Sequence, residues 1–369
     1  MRASRGPAFA ALWVLFTAGA AAEPGELPVG TTRLELLEEG ARLHDQGRFD
    51  EAIALYRRIL EVDPGDPAAQ YELVYANFAK GDYLETIALA ERIIGGEEPA
   101  AAGVHVFLGA AHGLTGAWDR AEVVLRQGLA AWPDDEALRF NLALSLAAQG
   151  KTEPAVLAFE ECLRRSPYSA LTWRALGDTL YDASARGRAV AAYARSLTLE
   201  DEPGRADGEV ARRLWEMILE GVPLPAETGA TRAVPLKVKL PGGPTGSSED
   251  DSSTEAVAVS MVGVLRYQEA WKGKSDATFF AYALDTILDA VSDIHSAPEN
   301  GGFWGPFVLS YFDDMRAAGH MEALAYDIRC AAGDPEAERW RRDHATEMRR
   351  FRERSVRWAV DWVSTGIER

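Results

Sequence analysis

The stretch GRFDEAIALYRRILEVDPGD, residues 47–66, is half apolar, opens on a glycine and carries Pro64 where a helix should end. The arrangement returns at 81–100, 116–135, 150–169 and 184–203. With the proline at position 32 of a 34-residue unit, units begin near Arg33, Pro67, Ala102, Glu136 and Ala170. Position 8 is then Gly40, Val74, Gly109, Ala143 and Gly177, and position 20 is Ala52, Thr86, Ala121, Ala155 and Ala189. Position 24 is Tyr56, Ala90, Leu125, Phe159 and Tyr193. The pattern predicts two helices per unit. Small residues at 8 and 20 let the pair cross closely, and position 24 fills the space beside them. Position 15, which is Gly47, Gly81, Gly116, Gly150 and Ser184, turns the chain where φ must be positive. Proline at 32, or close to it at Pro99 beside Glu98 and Pro203 beyond Asp201, cannot continue the second helix.

These positions resemble the tetratricopeptide repeat, a 34-residue helix-turn-helix. The fifth unit matches best, with Trp173, Leu176, Gly177, Ala189 and Tyr193; the second matches least, because Thr86 and Ala90 replace the usual residues. The resemblance covers residues 33–203 and implies an all-α fold, a right-handed superhelical solenoid. One unit cannot bury its own apolar face, so each copy supplies the core of its neighbour. Val210, Ala211 and Leu214 predict a capping helix over 207–220, which takes the repeat domain to 33–221.

Residues 222–253, rich in Pro, Gly and Ser, read as a linker. Within it Val234, Leu236, Val238 and Leu240 alternate with polar residues, as a short edge strand or extended chain would. Helical spacing resumes over 254–369, a helical C-terminal domain. Val257, Met261, Val264 and Leu265 form one stripe. Ser275 and Asp276 cap a helix carrying Phe280, Leu284, Ile287, Leu288 and Val291. Residues 303–335 read as a degenerate repeat-like helix pair turning at Gly319 and stopping at Pro335. One last helix is expected from about Glu336 to Val363, with a seam of Trp340, His344, Met348, Phe351, Trp358 and Trp362.

The N-terminus has Arg2 and Arg5, an apolar run from Ala8 to Phe16, and Ala20-Ala21-Ala22. This is the anatomy of a secretory signal peptide, residues 1–22, and predicts an exported protein, periplasmic or secreted. The apolar run is shorter than the roughly 20 residues that span a bilayer, so membrane contact is expected only through this segment left uncleaved. Cys162 and Cys330 read as two buried thiols.

Net charge is −18 over 369 residues, which argues against nucleic acid, whose binders need a basic face. No H-E-x-x-H, G-x-S-x-G, Walker loop or C-x-x-C occurs, so no catalytic residue, metal or cofactor is expected. His105 and His112 share one helix face but would need further donors to hold a metal. A basic strip, Arg341, Arg342, Arg349, Arg350, Arg352, Arg354 and Arg357, contrasts with the 28 acidic and 17 basic side chains of residues 33–203. It fits a solvated face laced by i,i+4 pairs, or a surface for anionic lipid or an acidic partner, such as the acidic repeats of its own chain or of another copy.

In the repeat family the first helix of each unit lines the groove at positions 2, 5, 9, 12 and 13. The resemblance therefore places Tyr71, Tyr75, Phe78, Val106, Leu114, Phe140 and Leu144 in an apolar middle. His44 and Asp45 lie at one polar end, and Arg174, Asp178 and Asp182, with Tyr181, at the other. Leu37, Ala41, Gly103 and Phe107 stand where a carboxylate clamp would need Lys, Asn or Arg, so such a clamp is not supported. The expected function is a non-enzymatic scaffold that binds a protein or peptide, helical or extended, in this groove. The chain's own linker or C-terminal helices are the other possible filling. Two alternatives stand beside it. One is an enzyme or regulatory subunit with Asp285, His295, Asp313, His320 or His344 in its site. The other is self-association through the last helix.

Overall fold

The computed structural model describes residues 32–96, 99–199, 208–219, 276–295, 303–331 and 333–366. The expected signal peptide, the linker with its alternating stretch, the stripe from Val257 to Leu265, and Glu98, Asp201 and Pro203 lie outside the described residues. Among the described residues every regular element is helical. They fall into two compact units, Met1–Ala158 and Phe159–Arg369.

Ten helices form the five hairpins: α1 (Arg33–Asp45) with α2 (Phe49–Val62), α3 (Pro67–Lys80) with α4 (Tyr83–Ile94), α5 (Ala102–Leu114) with α6 (Trp118–Ala131), α7 (Glu136–Ala148) with α8 (Thr152–Arg165), and α9 (Ala170–Asp182) with α10 (Arg186–Thr198). Each first helix starts at the residue that the register marks as the start of a unit. In four of the five the residue just before it is a side-chain cap; the exception is α5, which follows Ala101. The side chains of Thr32, Asp66, Asp135 and Ser169 each accept a hydrogen bond from an amide of the first turn. The turns repeat one geometry. Gly47, Gly81, Gly116 and Gly150 all have positive φ, and so does Ser184 at φ 64°, where a β-carbon adds strain. At the first turn Gly47 N donates to His44 O (2.8 Å) and Arg48 N to Leu43 O (2.9 Å), and the same pair of bonds closes the other four.

Position 8 against position 24 is the crossing point. A β-carbon on Gly40 would come within 2.7 Å of Tyr56 Cζ, one on Gly109 within 2.6 Å of Leu125 Cγ, and one on Gly177 within 2.6 Å of Tyr193 Cδ1. The second hairpin moves the volume to the other helix: Val74 at position 8 and Ala90 at position 24 are both fully buried. Its departure from the family pattern is thus a complementary exchange.

Asp66 joins the first two hairpins. It caps α3 through the amides of Ala68 (3.1 Å) and Ala69 (3.0 Å), and it accepts from Arg33 Nη2 at 2.9 Å. The Arg33 guanidinium, with these amides, holds its carboxyl below the usual aspartate range. A depressed folded-state pKa contributes stability that is present above the unfolded value, about 3.9, and is lost as pH falls through the folded value. Asp66→Asn keeps the cap but removes the charge, and Arg33 is half exposed. The variant is expected to lose about 0.5–1 kcal/mol at neutral pH. Denaturation midpoints of the two proteins should converge as pH drops from about 5 toward 2.

In the second unit α11 (Gly208–Leu219), the expected capping helix, packs on α10. The C-terminal helices are α12 (Asp276–His295), α13 (Ser310–Ala317), α14 (Met321–Ala331), α15 (Pro335–Asp343) and α16 (Ala345–Gly366). They pack with the fifth hairpin: α12 and α14 both lie against α10 and α11. Three arginines of the second unit are laid over C-terminal rings. Arg164 sits 5.4 Å from the centre of Phe303, Arg188 5.8 Å from Trp304, and Arg195 4.1 Å from Tyr311 and 5.3 Å from Trp358. Trp304 Nε1 also donates to Glu160 at 2.9 Å.

Two C-terminal expectations need correction. Residues 303–335 do turn at Gly319 (φ 73°) with the bonds of the repeats, but α14 packs mainly on α12 and α15 rather than on α13. Position 8 of that would-be unit is Phe312 and position 20 is Leu324, so no small residue opens a close crossing. Helix α13 is also shortened by a π-helical turn, Trp304–Leu309, at Pro306, which has no amide to donate. The second helix of this segment does stop before Pro335, at Ala331, and Pro335 opens α15 behind the Asp334 cap. The last helix is two helices, broken at His344, whose amide (2.8 Å) and Nδ1 (3.0 Å) both turn back to Trp340 O. Cys162 and Cys330 are buried, as expected.

Candidate functional site

Helix α3 carries Tyr71, Tyr75 and Phe78 at spacings of four and three, hence on one face. Phe107 of α5 reaches over them: its ring is stacked on Tyr75 at 5.1 Å and lies 5.6 Å from Tyr71 and 5.3 Å from Phe78. His44, at the end of α1, lies 4.3 Å from Tyr75 and 5.2 Å from Phe49. Gly103 makes room for the Tyr71 ring; a β-carbon there would overlap Cε2. Phe78 is buried against Ala110 and Ala111, and Leu114 packs beside them. Tyr71, Tyr75, Phe107 and Val106 remain half-buried, as do Phe140 and Leu144 on α7. The first helices of the first three hairpins thus share one continuous aromatic face.

Two members were missed or misassigned from sequence. Phe107 stands at position 6, one residue past the groove position held by Val106, but a phenyl ring is long enough to reach Tyr75 from there. His44, expected at a polar end, is part of the ring cluster. Glu72, next to Tyr71, is half-buried, and the Tyr56 hydroxyl donates to it over a long 3.5 Å. Burial pushes its carboxyl above the usual glutamate range, against a smaller opposing pull from His44. Burial likewise raises the phenol of Tyr71.

The second unit holds Arg174, Asp178 and Tyr181 on α9. Asp178 has an internal role: it accepts from the Tyr193 hydroxyl (2.7 Å) and pairs with Arg213 of the capping helix. Burial raises its carboxyl. Arg213 lies 5.9 Å from the ring of Tyr181, which is exposed. Arg174 is half-buried.

Residues 37–104 and 108–170 match the family model for the tetratricopeptide repeat. These helix pairs are tetratricopeptide repeats. The chain also resembles solved structures. YrrB, described as a tetratricopeptide repeat protein with an unusual peptide-binding site, is 19% identical; the match covers 49% of this chain and 91% of YrrB, with a TM-score of 0.39. MamA is 20% identical over 44% of this chain and 94% of MamA, with a TM-score of 0.40. TTC0263, a tetratricopeptide repeat protein of Thermus thermophilus, is 22% identical over 50% of this chain and 97% of its own, with a TM-score of 0.41. No curated protein matches the chain. Among the described residues no helix is long and apolar enough to cross a membrane.

The residues considered for chemistry beyond the repeats have other surroundings. Asp285 and Asp313 both bind Arg316, each at 2.8 Å. His320 meets the edge of Phe351, and His344 stacks on Trp340, which stacks on Tyr326. The side chain of His295 lies outside the described residues. His105 and His112, in the third repeat, are buried, which depresses both imidazoles. On α16, Met348 and Phe351 are buried and Trp358 packs on Tyr311. Arg352 pairs with Asp327, and Arg354 with Asp314.

Proposed function

We propose that this protein is a non-enzymatic scaffold that binds a protein partner, as a helix or extended peptide, on the aromatic face of its first tetratricopeptide repeats. The observation that carries the reading is the half-buried cluster of Tyr71, Tyr75 and Phe107 on first helices. Rings already packed against one another lose little freedom on binding, and such rings anchor interfaces. A buried core would have enclosed them fully. Phe140 and Leu144 extend the apolar character along α7. We place the protein outside the cytoplasm from its first 22 residues; a mature chain starting at Glu23 in the exported fraction would bear this out, and a chain intact from Met1 and confined to the cytoplasmic fraction would overturn it.

Capture by the full chain should be compared with Tyr75→Ala and Phe140→Asp. Each variant is expected to lose partner binding at least about 10-fold, consistent with an anchor worth about 2 kcal/mol, while helical circular dichroism persists. Unchanged capture by both folded variants would remove this face from the account.

A further inference from the structure

Resting on that reading, we propose that the face formed by Tyr71, Tyr75 and Phe107 receives a lysine or arginine side chain from a basic amphipathic segment of the partner, with Glu72 as its counter-charge. Charge on the face is one-sided. Across positions 2, 5, 9, 12 and 13 of the first four repeats, Asp45 is present and no lysine or arginine occurs. Residues 33–158 carry 21 acidic and 11 basic side chains, so approach from outside favours a cation.

Glu72 differs from the ion-paired carboxylates of its unit. Glu51 is paired with Arg48 at 2.6 Å, Asp50 with Lys80 at 2.6 Å, and Glu122 with Lys151 at 2.6 Å. Glu72 is partly withdrawn from water beside Tyr56 and Tyr71, and among the described residues no lysine or arginine pairs with it. A desolvated carboxylate retained without such a partner is a cost to the fold that an incoming cation would relieve. The rings next to it add attraction, because an aromatic face carries negative potential. The chain uses the same chemistry internally, where Arg164, Arg188 and Arg195 lie over rings.

Three fluorescent peptides sharing one leucine-alanine frame, with lysine, glutamine or glutamate at the remaining positions, test this by anisotropy on the full chain. The lysine peptide should bind at least about 10-fold tighter than the glutamine peptide, and the gap should shrink with salt. Glu72→Gln should close the gap; its fold should be intact, since it removes a charge that no lysine or arginine balances. Tyr75→Leu should weaken both peptides, with circular dichroism confirming the fold. Equal binding of the lysine and glutamine peptides, both lost in Tyr75→Leu, would overturn the cation site and leave the groove standing. Preference for the glutamate peptide would also overturn the cation site. Binding of no peptide, or binding indifferent to Tyr75→Leu, would overturn the groove reading itself.

Discussion

Tyr56→Ala is expected to lower stability by about 3–5 kcal/mol, the largest loss among single changes in the first unit. The ring is fully buried, fits the space left by Gly40 and reaches Glu72 with its hydroxyl. Removing it leaves a cavity that two rigid helices cannot close. Gly40→Ala acts from the other side. Its new methyl would press on the ring, which cannot swing away inside the hairpin, so about 1–3 kcal/mol is expected. Together the two changes should cost clearly less than their sum, because the alanine methyl then occupies part of the cavity. Urea denaturation of the two single variants and the double variant checks this. Strict additivity would mean that the notch and the ring are not one packing unit. The second repeat supplies an internal comparison, since there the larger side chain, Val74, is on the first helix and the smaller, Ala90, on the second.

Arg195 gives the second large effect. It is fully buried; Nη1 donates to Thr198 and Ser355, both at 3.2 Å, while Nε and Nη2 have no hydrogen-bond partner among the described residues. Its charge is balanced by the faces of Tyr311 and Trp358. Burial pushes the guanidinium below its ordinary range. Arg195→Ala should cost about 2–4 kcal/mol, because it empties the space between α10 and the C-terminal rings. Arg195→Met fills that space without a charge to desolvate, and should lie within about 1 kcal/mol of the wild type or above it. Tyr311 and Ser355 remain hydrogen-bonded to each other at 3.0 Å in either case. Denaturation followed by tryptophan fluorescence distinguishes the outcomes. A methionine variant as unstable as the alanine variant would show that attraction between cation and rings outweighs desolvation.

Most of the repeat fold was legible because its determinants are local. A turn such as Gly47 and a notch such as Gly40 act within one hairpin, so fixed spacing reveals them. The aromatic face was partly legible for the same reason: Tyr71, Tyr75 and Phe78 share a helix. Phe107 was not, because its place depends on how two helices lean on each other.

What the chain's order of residues determined alone is the all-α class, five helix hairpins with their starts and turns, and the apolar cluster on α3. Only tertiary packing decided that Phe107 and His44 join that cluster, that Asp178 is tied to Tyr193 and Arg213, that the helices after Gly319 pack across rather than as a sixth repeat, and that the C-terminal rings meet arginines of the second unit. The physical reason is range. Helix propensity, capping and turn strain are settled within a few neighbouring residues, whereas ring stacking and the burial of a charge depend on residues far apart in sequence.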